Sequence, residues 1–335
     1  MAHHLSPPVV FVGDNRFVND DCVRGALAHL ADGSVDLIVT DPPYGIGGRS
    51  LHRHYNRDER FVVGDYVEVE PAAYAAFSRG WVGQAERVLR PGGQMYVVSG
   101  YTNLPDILHA LRGTTLREIN HIIWKYNFGV YTRTKFVSSH YHILYYAKPG
   151  GARTFNLQAR FATNTSGDAG GSANYRDRED VWIINREYKP GQPKNKNELP
   201  RALLQKMLAY SSNPGDHVCD FFMGGCSTAA VAIGMGRRFT GFEISTKTFQ
   251  NRVPALCAVL PGQLPDAVPQ ATVVRNRGKA WPQAEIDGVM RRYAELRAGG
   301  ASKRAAVNQL AIEFERGPWG IAKILRKETR CGDVT

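Results

Sequence analysis

Strand and helix signals alternate along most of this chain, which predicts an α/β fold with a parallel or mostly parallel sheet covered by helices. Three observations carry the prediction. Apolar runs of strand length (Leu37 to Val39, His140 to Ala147) are separated by stretches of helical period, such as Pro71 to Arg90. A glycine-bearing turn at Gly224-Gly225 joins a strand to a helix. Finally, strands end on carboxylates, at Asp41, Asp220 and Glu243, where an open parallel sheet binds its ligands.

The elements follow in order. Val9 to Val12 and Arg16 to Asn19 read as short extended segments, followed by a helix from Val23 to Leu30 and the strand that reaches Asp41, a β-α-β unit. That strand stops at Asp41-Pro42-Pro43-Tyr44, since neither helix nor sheet continues through two prolines. The four residues suit a reaction site at a strand end, and equally an ordinary turn, because Asp and Pro are common turn formers. The stretch 45–57 is rich in Gly, Arg and His without apolar period and reads as a loop at the edge of the suspected site.

Pro71 to Arg90 is a helix with Tyr74, Phe77, Trp81 and Val88 on one face, stopped by Pro91-Gly92-Gly93. Gln94 to Ser99 reads as a strand, Leu104 to Leu111 as a helix, and Leu116 to Trp124 and His140 to Ala147 as two strands. From Lys148 to Asn197 the pattern breaks down, leaving Val181 to Ile184 as a strand. Basic residues there are interleaved with Phe155, Phe161, Tyr175, Trp182 and Tyr188, a mixture that suits phosphates and bases and also suits a plain surface insertion.

Regularity returns with a helix from Pro200 to Tyr210, a strand His217 to Asp220, the turn at Gly224-Gly225, a helix to Gly236, a strand Phe239 to Glu243 and a helix Thr246 to Leu260. A strand, a glycine turn, a helix and a second strand with a terminal acid form the layout of a nucleotide-type ligand site. The glycines allow close backbone approach and the acid can hold ribose hydroxyls. Pro261 to Pro282 reads as a linker, and Ile286 to Arg297, Ser302 to Phe314 and Pro318 to Lys327 as three short helices. From Ala271 onward there are 13 Lys and Arg against 7 Asp and Glu, so this tail carries a surplus of 6 within the net charge of +11. Basic helices around a Gly turn fit a helix-turn-helix reader of DNA, and also a packing or dimerisation module.

At 335 residues the chain can bury one large core and hold a small second domain. The basic balance favours a polyanionic partner. Its 5 cysteines include no Cys-x-x-Cys pair, so neither a metal site nor a disulfide framework is expected. Without a signal segment or an apolar run of membrane-spanning length, a cytoplasmic protein is expected.

Taken together, these residues resemble the S-adenosylmethionine-dependent amino-methyltransferases of DNA, in their permuted β group, where the catalytic motif precedes the cofactor turn. The resemblance covers roughly Val10 to Leu260. Asp41-Pro42-Pro43-Tyr44 comes first and Asp220-Phe221-Phe222-Met223-Gly224-Gly225 second. Asp20-Asp21-Cys22, the helix end Ala85 to Gly93 and the segment Phe136 to Leu144 match further family motifs, the last in its adenine-modifying members. Cys226 stands where the family has Gly, Asn197-Glu198-Leu199-Pro200 replaces Thr-Glu-Lys-Pro, and Asp20 replaces a Gly.

The resemblance implies a Rossmann-like methyltransferase sheet with its catalytic half in 1–147, a target-recognition insertion in 148–197 and its cofactor half in 198–260. A linker at 261–282 and a helix-turn-helix-like domain at 283–330 complete this division. It implies transfer of a methyl group from S-adenosyl-L-methionine to N6 of a flipped adenine in duplex DNA, with cytosine N4, RNA, or a catalytically weak DNA-binding regulator as alternatives. Asp41 and the Pro42 carbonyl would accept the amino N–H groups, Pro43 would stiffen the turn and Tyr44 would stack on the base. For the cofactor, Phe222, Gly224 and Gly225 would form the close-approach turn, Asp220 would face the amino-acid end, Ser227 and Thr228 the helix N-terminus, Glu243 the ribose and Asp21 the adenine. A homodimer and a cognate restriction nuclease are candidate partners on the same basis.

Overall fold

Five of the eight strand pairings in the observed sheet are parallel, and its nine strands lie in the order β1-β2-β9-β8-β3-β4-β6-β5-β7. The computed structural model describes residues 8–44, 69–127, 129, 133–156, 159, 178–187, 198–264, 280–314, 316 and 320–325. The expected loop at 45–57, most of the linker, most of the basic and aromatic part of 148–197, and the ends of the third C-terminal helix lie outside the described residues. Those described fall into two units, one comprising the sheet and its helices up to residue 264 and the other the helices from 280 onward.

The strands are Val9–Val12 (β1), Asn15–Val18 (β2), Val35–Thr40 (β3), Leu89–Ser99 (β4), Arg117–Lys125 (β5), His140–Ala147 (β6), Val181–Ile183 (β7), His217–Asp220 (β8) and Arg238–Phe242 (β9). The helices of this unit are Cys22–His29 (α1), Tyr74–Val88 (α2), Leu104–Arg112 (α3), Arg201–Ser211 (α4), Ser227–Gly234 (α5) and Thr246–Arg252 (α6). Alternation along β4 explains the two layers. Met95 and Val97 join a core with Trp81, Val82 and Val88 of α2 and Ile107 and Leu111 of α3, while Gln94 and Tyr96 turn the other way to bond Ser211 at the end of α4.

The connectivity creates a crevice. After β3 the chain moves to β4 on one side; after β8 it moves to β9 on the other, so β3 and β8 flank a topological switch point. Thr40 and Asp220 end those two strands, and the Thr40 hydroxyl donates to Asp220 Oδ1 across the gap at 2.9 Å, fully buried.

The sheet is mostly parallel with antiparallel pairs within it, and two elements differ from the sequence expectation, each for a physical reason. The β4–β6 and β5–β6 pairs are antiparallel, since no helix among the described residues lies between β5 and β6 to carry the chain back over the sheet. Strand β4 begins at Leu89 and runs through Pro91-Gly92-Gly93 as a bulge: Val35 pairs with Leu89 and Leu37 already with Gln94. The helix expected over Thr246 to Leu260 ends at Arg252 and continues as a 3₁₀ turn over Val253–Ala258, since Pro254 has no N–H for the α-helical ladder.

The second unit packs Gln283–Ala298 (α7), Lys303–Glu313 (α8) and a helical segment at 320–325 around Val289, Leu310, Ala311, Ile321 and Leu325. Arg316 is buried there, held by Glu285 at 2.6 Å and lying 4.4 Å from the centre of the Trp281 ring.

Gly92 seats the bulge. Its φ is +79°, and a Cβ added there would lie 2.2 Å from the carbonyl oxygen of Ala152. Gly92→Ala therefore combines left-handed backbone strain with a main-chain clash, and urea unfolding should show a loss of at least about 2 kcal/mol. An unchanged midpoint would mean that the bulge is not held as described.

Candidate active site

Four carboxylates follow the carboxyl ends of four neighbouring strands. In spatial order they are Asp21 after β2, Glu243 after β9, Asp220 at the end of β8 and Asp41 after β3, and all three intervening pairings are parallel, so the acids lie along one edge.

At the β2 end, Asp21 is the N-cap of α1: its Oδ1 accepts from the Val23 and Arg24 N–H groups at 3.0 and 3.2 Å. Asp20 pairs instead with Arg24, at 2.6 Å. Asn19 donates to the Glu243 carbonyl at 2.7 Å, and Glu243 N–H bonds the Val18 carbonyl, which fixes the two strand ends together.

Glu243 reaches back over the glycine turn. Its Oε2 accepts from the Gly224 N–H at 2.8 Å and its Oε1 from the Ser245 N–H at 2.7 Å. Burial raises its pKa, with Asp220 adding to the rise and the two N–H groups opposing it. Gly224 has a φ of +47°, and Gly225 lies against Glu198, whose Oε1 would be 2.4 Å from an added Cβ. Cys226 then takes φ 64° and ψ 20°, the only non-glycine with positive φ among the described residues, and α5 starts immediately after it with Ser227 and Thr228. The conformation explains why the resembling family has glycine at this place.

Asp220 accepts from the Thr40 hydroxyl and from the Phe222 N–H at 3.0 Å. Burial pushes it up to about 6, against the hydrogen bonds from Phe222, Thr228 and Thr40. The Phe222 ring, partly buried, packs on Trp81 and Phe77 of α2.

Asp41 differs from the other three. As a residue it is part-exposed, yet its Oδ1 is fully buried and has no hydrogen-bond partner among the described residues. Burial first, then the charge of Asp220, pushes its carboxyl up to about 8, while Arg186 pulls it down. The turn behind it is pinned, with the Tyr74 hydroxyl of α2 donating to the Pro43 carbonyl at 2.9 Å and the Pro42 side chain buried.

A small cleft lies beside Asp41, lined by Tyr44, Val98, Trp124, Tyr141, Arg186, Glu198 and Leu199. Tyr44 lies 6.4 Å from Tyr141, ring centre to ring centre, over Gly100, whose missing side chain leaves both rings room. Tyr141 stacks on Trp124 at 5.6 Å and 27°. Within the segment Phe136 to Leu144, Tyr141 faces the cleft, and His140 is exposed on the opposite face of β6 beside His142. Trp124, Tyr141, Arg186 and Leu199 are not among the site residues expected from sequence, although Tyr141 lies in the Phe136 to Leu144 segment and Leu199 in the Asn-Glu-Leu-Pro motif.

The site thus offers a buried acceptor for an N–H donor, aromatic faces for a planar ring, and a row of acids beside a glycine turn. These features also fit S-adenosylmethionine, whose sulfonium and ammonium charges complement the acids.

Residues 35–251 match the N6/N4 family model described as DNA methylase, and the chain belongs to that family. It is 31% identical over 229 residues to the DNA adenine methyltransferase YhdJ of Escherichia coli K12, covering 64% of this chain and 73% of YhdJ. It is 28% identical over 254 residues to the type II methyltransferase M.BamHI of Bacillus amyloliquefaciens, covering 71% of this chain but only 56% of M.BamHI, so the chain spans a little over half of that relative. Two solved structures share the fold. The PvuII DNA methyltransferase, cytosine-N4-specific, aligns with a TM-score of 0.55 at 13% identity over 75% of this chain and 88% of its own. TTHA0409 of Thermus thermophilus, complexed with S-adenosyl-L-methionine, aligns with a TM-score of 0.53 at 23% identity over 73% and 94%. The Rossmann-like α/β sheet is thereby established. No helix among the described residues is long and apolar enough to cross a membrane.

The strain at Cys226 is measurable. Cys226→Gly and Cys226→Ala both remove the thiol, but only glycine adopts a positive φ without penalty, so the Gly variant should be the more stable by about 1 kcal/mol. Equal melting temperatures would place residue 226 outside the left-handed region.

Proposed function

We propose that this chain transfers the methyl group of S-adenosyl-L-methionine to the exocyclic N6 of an adenine flipped out of duplex DNA. The observation that carries the reading is the buried Oδ1 of Asp41, which lacks a partner among the described residues and sits beside the Tyr44 and Tyr141 rings at the small cleft.

The chemistry requires such an acceptor. An exocyclic amino nitrogen is a poor nucleophile because its lone pair is delocalised into the ring. Hydrogen bonds from its two N–H groups to ionised Asp41 and to the Pro42 carbonyl localise that pair on nitrogen and aim it. The prolines hold both acceptors in a turn that offers no N–H donor of its own. Tyr44 stacks on the base, which has to leave the duplex because its amino group is paired there. S-adenosylmethionine, when bound, supplies the electrophilic methyl. Asp220, Glu243, Asp21 and the turn at Phe222, Gly224 and Gly225, with Ser227 and Thr228 behind it, hold that cofactor along the row of strand ends.

Adenine is supported by the Asp that opens the Pro-Pro-Tyr motif and by the adenine specificity in the name of YhdJ. The fold likeness to a cytosine-N4 enzyme does not bear on the base, since it rests on 13% identity. The helices from 283 on, with the basic surplus of the tail, we assign to contacts with the DNA backbone.

Two outcomes concern the reaction and its product, and another its pH dependence. Asp41→Ala should lower methyl transfer to duplex DNA by about 10³-fold or more while leaving cofactor binding largely intact, measured with labelled cofactor and by calorimetry. Nucleoside mass spectrometry of the product should show N6-methyladenine; N4-methylcytosine instead would move the reading to the other base. The third outcome concerns pH. The ionised carboxylate accepts the amino N–H and the protonated one does not, so kcat/KM should fall as pH drops through about 8, the value to which burial and Asp220 push Asp41. A limb near pH 4 would contradict the burial of Asp41.

A further inference from the structure

Arg186 stands two residues past the point where the chain is locked to the sheet. Strand β7 pairs in parallel with β5, with Trp182 opposite Trp124. The Ile184 N–H donates to the Lys125 carbonyl at 3.1 Å, and the Trp124 indole N–H donates to the Ile184 carbonyl at 2.8 Å. From that anchor the guanidinium lies over three rings at once, 4.9 Å from the centre of Tyr126, 5.5 Å from Tyr141 and 5.9 Å from Trp124. The rings pack on one another at 5.5 to 5.6 Å, so their electron-rich faces form a fixed seat for a cation.

The carboxylates nearest Asp41 outnumber the cations that line the cleft. Asp220 approaches from the end of β8, and Glu198, itself paired with Arg252 at 3.6 Å, from the turn before α4; Tyr44 and Tyr141 contribute phenols. Arg186 is the only cation among the described residues lining the cleft. A buried carboxylate facing a second carboxylate takes up a proton unless a positive charge opposes it, and a protonated Asp41 cannot accept through that oxygen. A guanidinium suits the task because it stays charged over the whole working range and its plane lies flat on aromatic faces.

We propose that Arg186 is a positioning residue of this site: its guanidinium, seated over Trp124, Tyr126 and Tyr141 at the cleft, is the fixed countercharge that favours the ionised form of Asp41 for the incoming base. The inference rests on the methyl-transfer reading above. It adds that the ionisation of the catalytic acid is set from the far end of the sheet, by the segment that follows β7.

The test is the pH profile of kcat/KM for methyl transfer to duplex DNA in the wild type, Arg186→Gln, Arg186→Lys and Tyr126→Leu, each checked for S-adenosylmethionine binding by calorimetry. Arg186→Gln should move the acidic limb upward by about one pH unit. Arg186→Lys, which retains the charge, should leave it close to the wild-type position. Tyr126→Leu, which loosens the seat without removing the charge, should move it upward by less, and decides the matter if Arg186→Gln does not fold. A rate lowered by one factor at every pH, with the limb unmoved in Arg186→Gln, or in Tyr126→Leu if that variant alone folds, would overturn the inference while leaving the methyl-transfer reading intact. Absence of transfer by the wild type would overturn both.

Discussion

Like charges confined at the edge of one sheet are the constraint on which this site depends. Parallel pairing of β2, β9, β8 and β3 brings four strand ends into line, and each ends in or is followed by a carboxylate. Carboxylates taken out of water and placed beside one another resist ionisation. The protein answers at three of the four positions with hydrogen bonds from its own backbone: to Asp21 from the first turn of α1, to Glu243 from Gly224 and Ser245, to Asp220 from Phe222. Asp41 Oδ1 alone among them is buried without such a bond among the described residues, and it is the one facing the cleft.

The arrangement also accounts for the glycine turn. Gly224 presents its N–H to Glu243, and this bond holds the turn between β8 and α5 against the end of β9. Cys226 completes the turn in a conformation unfavourable to any side chain. The turn is thus kept in place by hydrogen bonding and burial in spite of local backbone preference, a form of strain common where a ligand is to be approached closely.

Much of this was legible in the sequence because it is local. Strands ending in acids, the prolines after Asp41 and the glycines after Asp220 are short-range signals, and the elements they predicted stand where expected, apart from the early start of β4 and the break at Pro254. The rest of the cleft was not legible, because it is assembled across the sheet. Trp124, Tyr141 and Arg186 lie on separate strands or just beyond them, and only the order β6-β5-β7, with its antiparallel register of Trp124 against Tyr141, places them together. A strand nearly continuous in β-branched and aromatic residues, such as His140 to Ala147, does not reveal which of its faces meets the site, so the segment alone does not single out Tyr141. Tyr74, placed by its helical spacing on an apolar face, is a core residue, but its hydroxyl also fixes the turn that follows Asp41.

The central claim is that Asp41 is a buried, proton-retaining acid whose charge state answers to the charges around it. The most direct measurement is the titration of its carboxyl carbon by nuclear magnetic resonance in ¹³C-labelled protein, alone and with a cationic, non-reacting analogue of S-adenosylmethionine. The account predicts a midpoint near 8 in the free protein, falling when the cationic analogue binds. A midpoint in the ordinary carboxylate range, unmoved by the analogue, would contradict it.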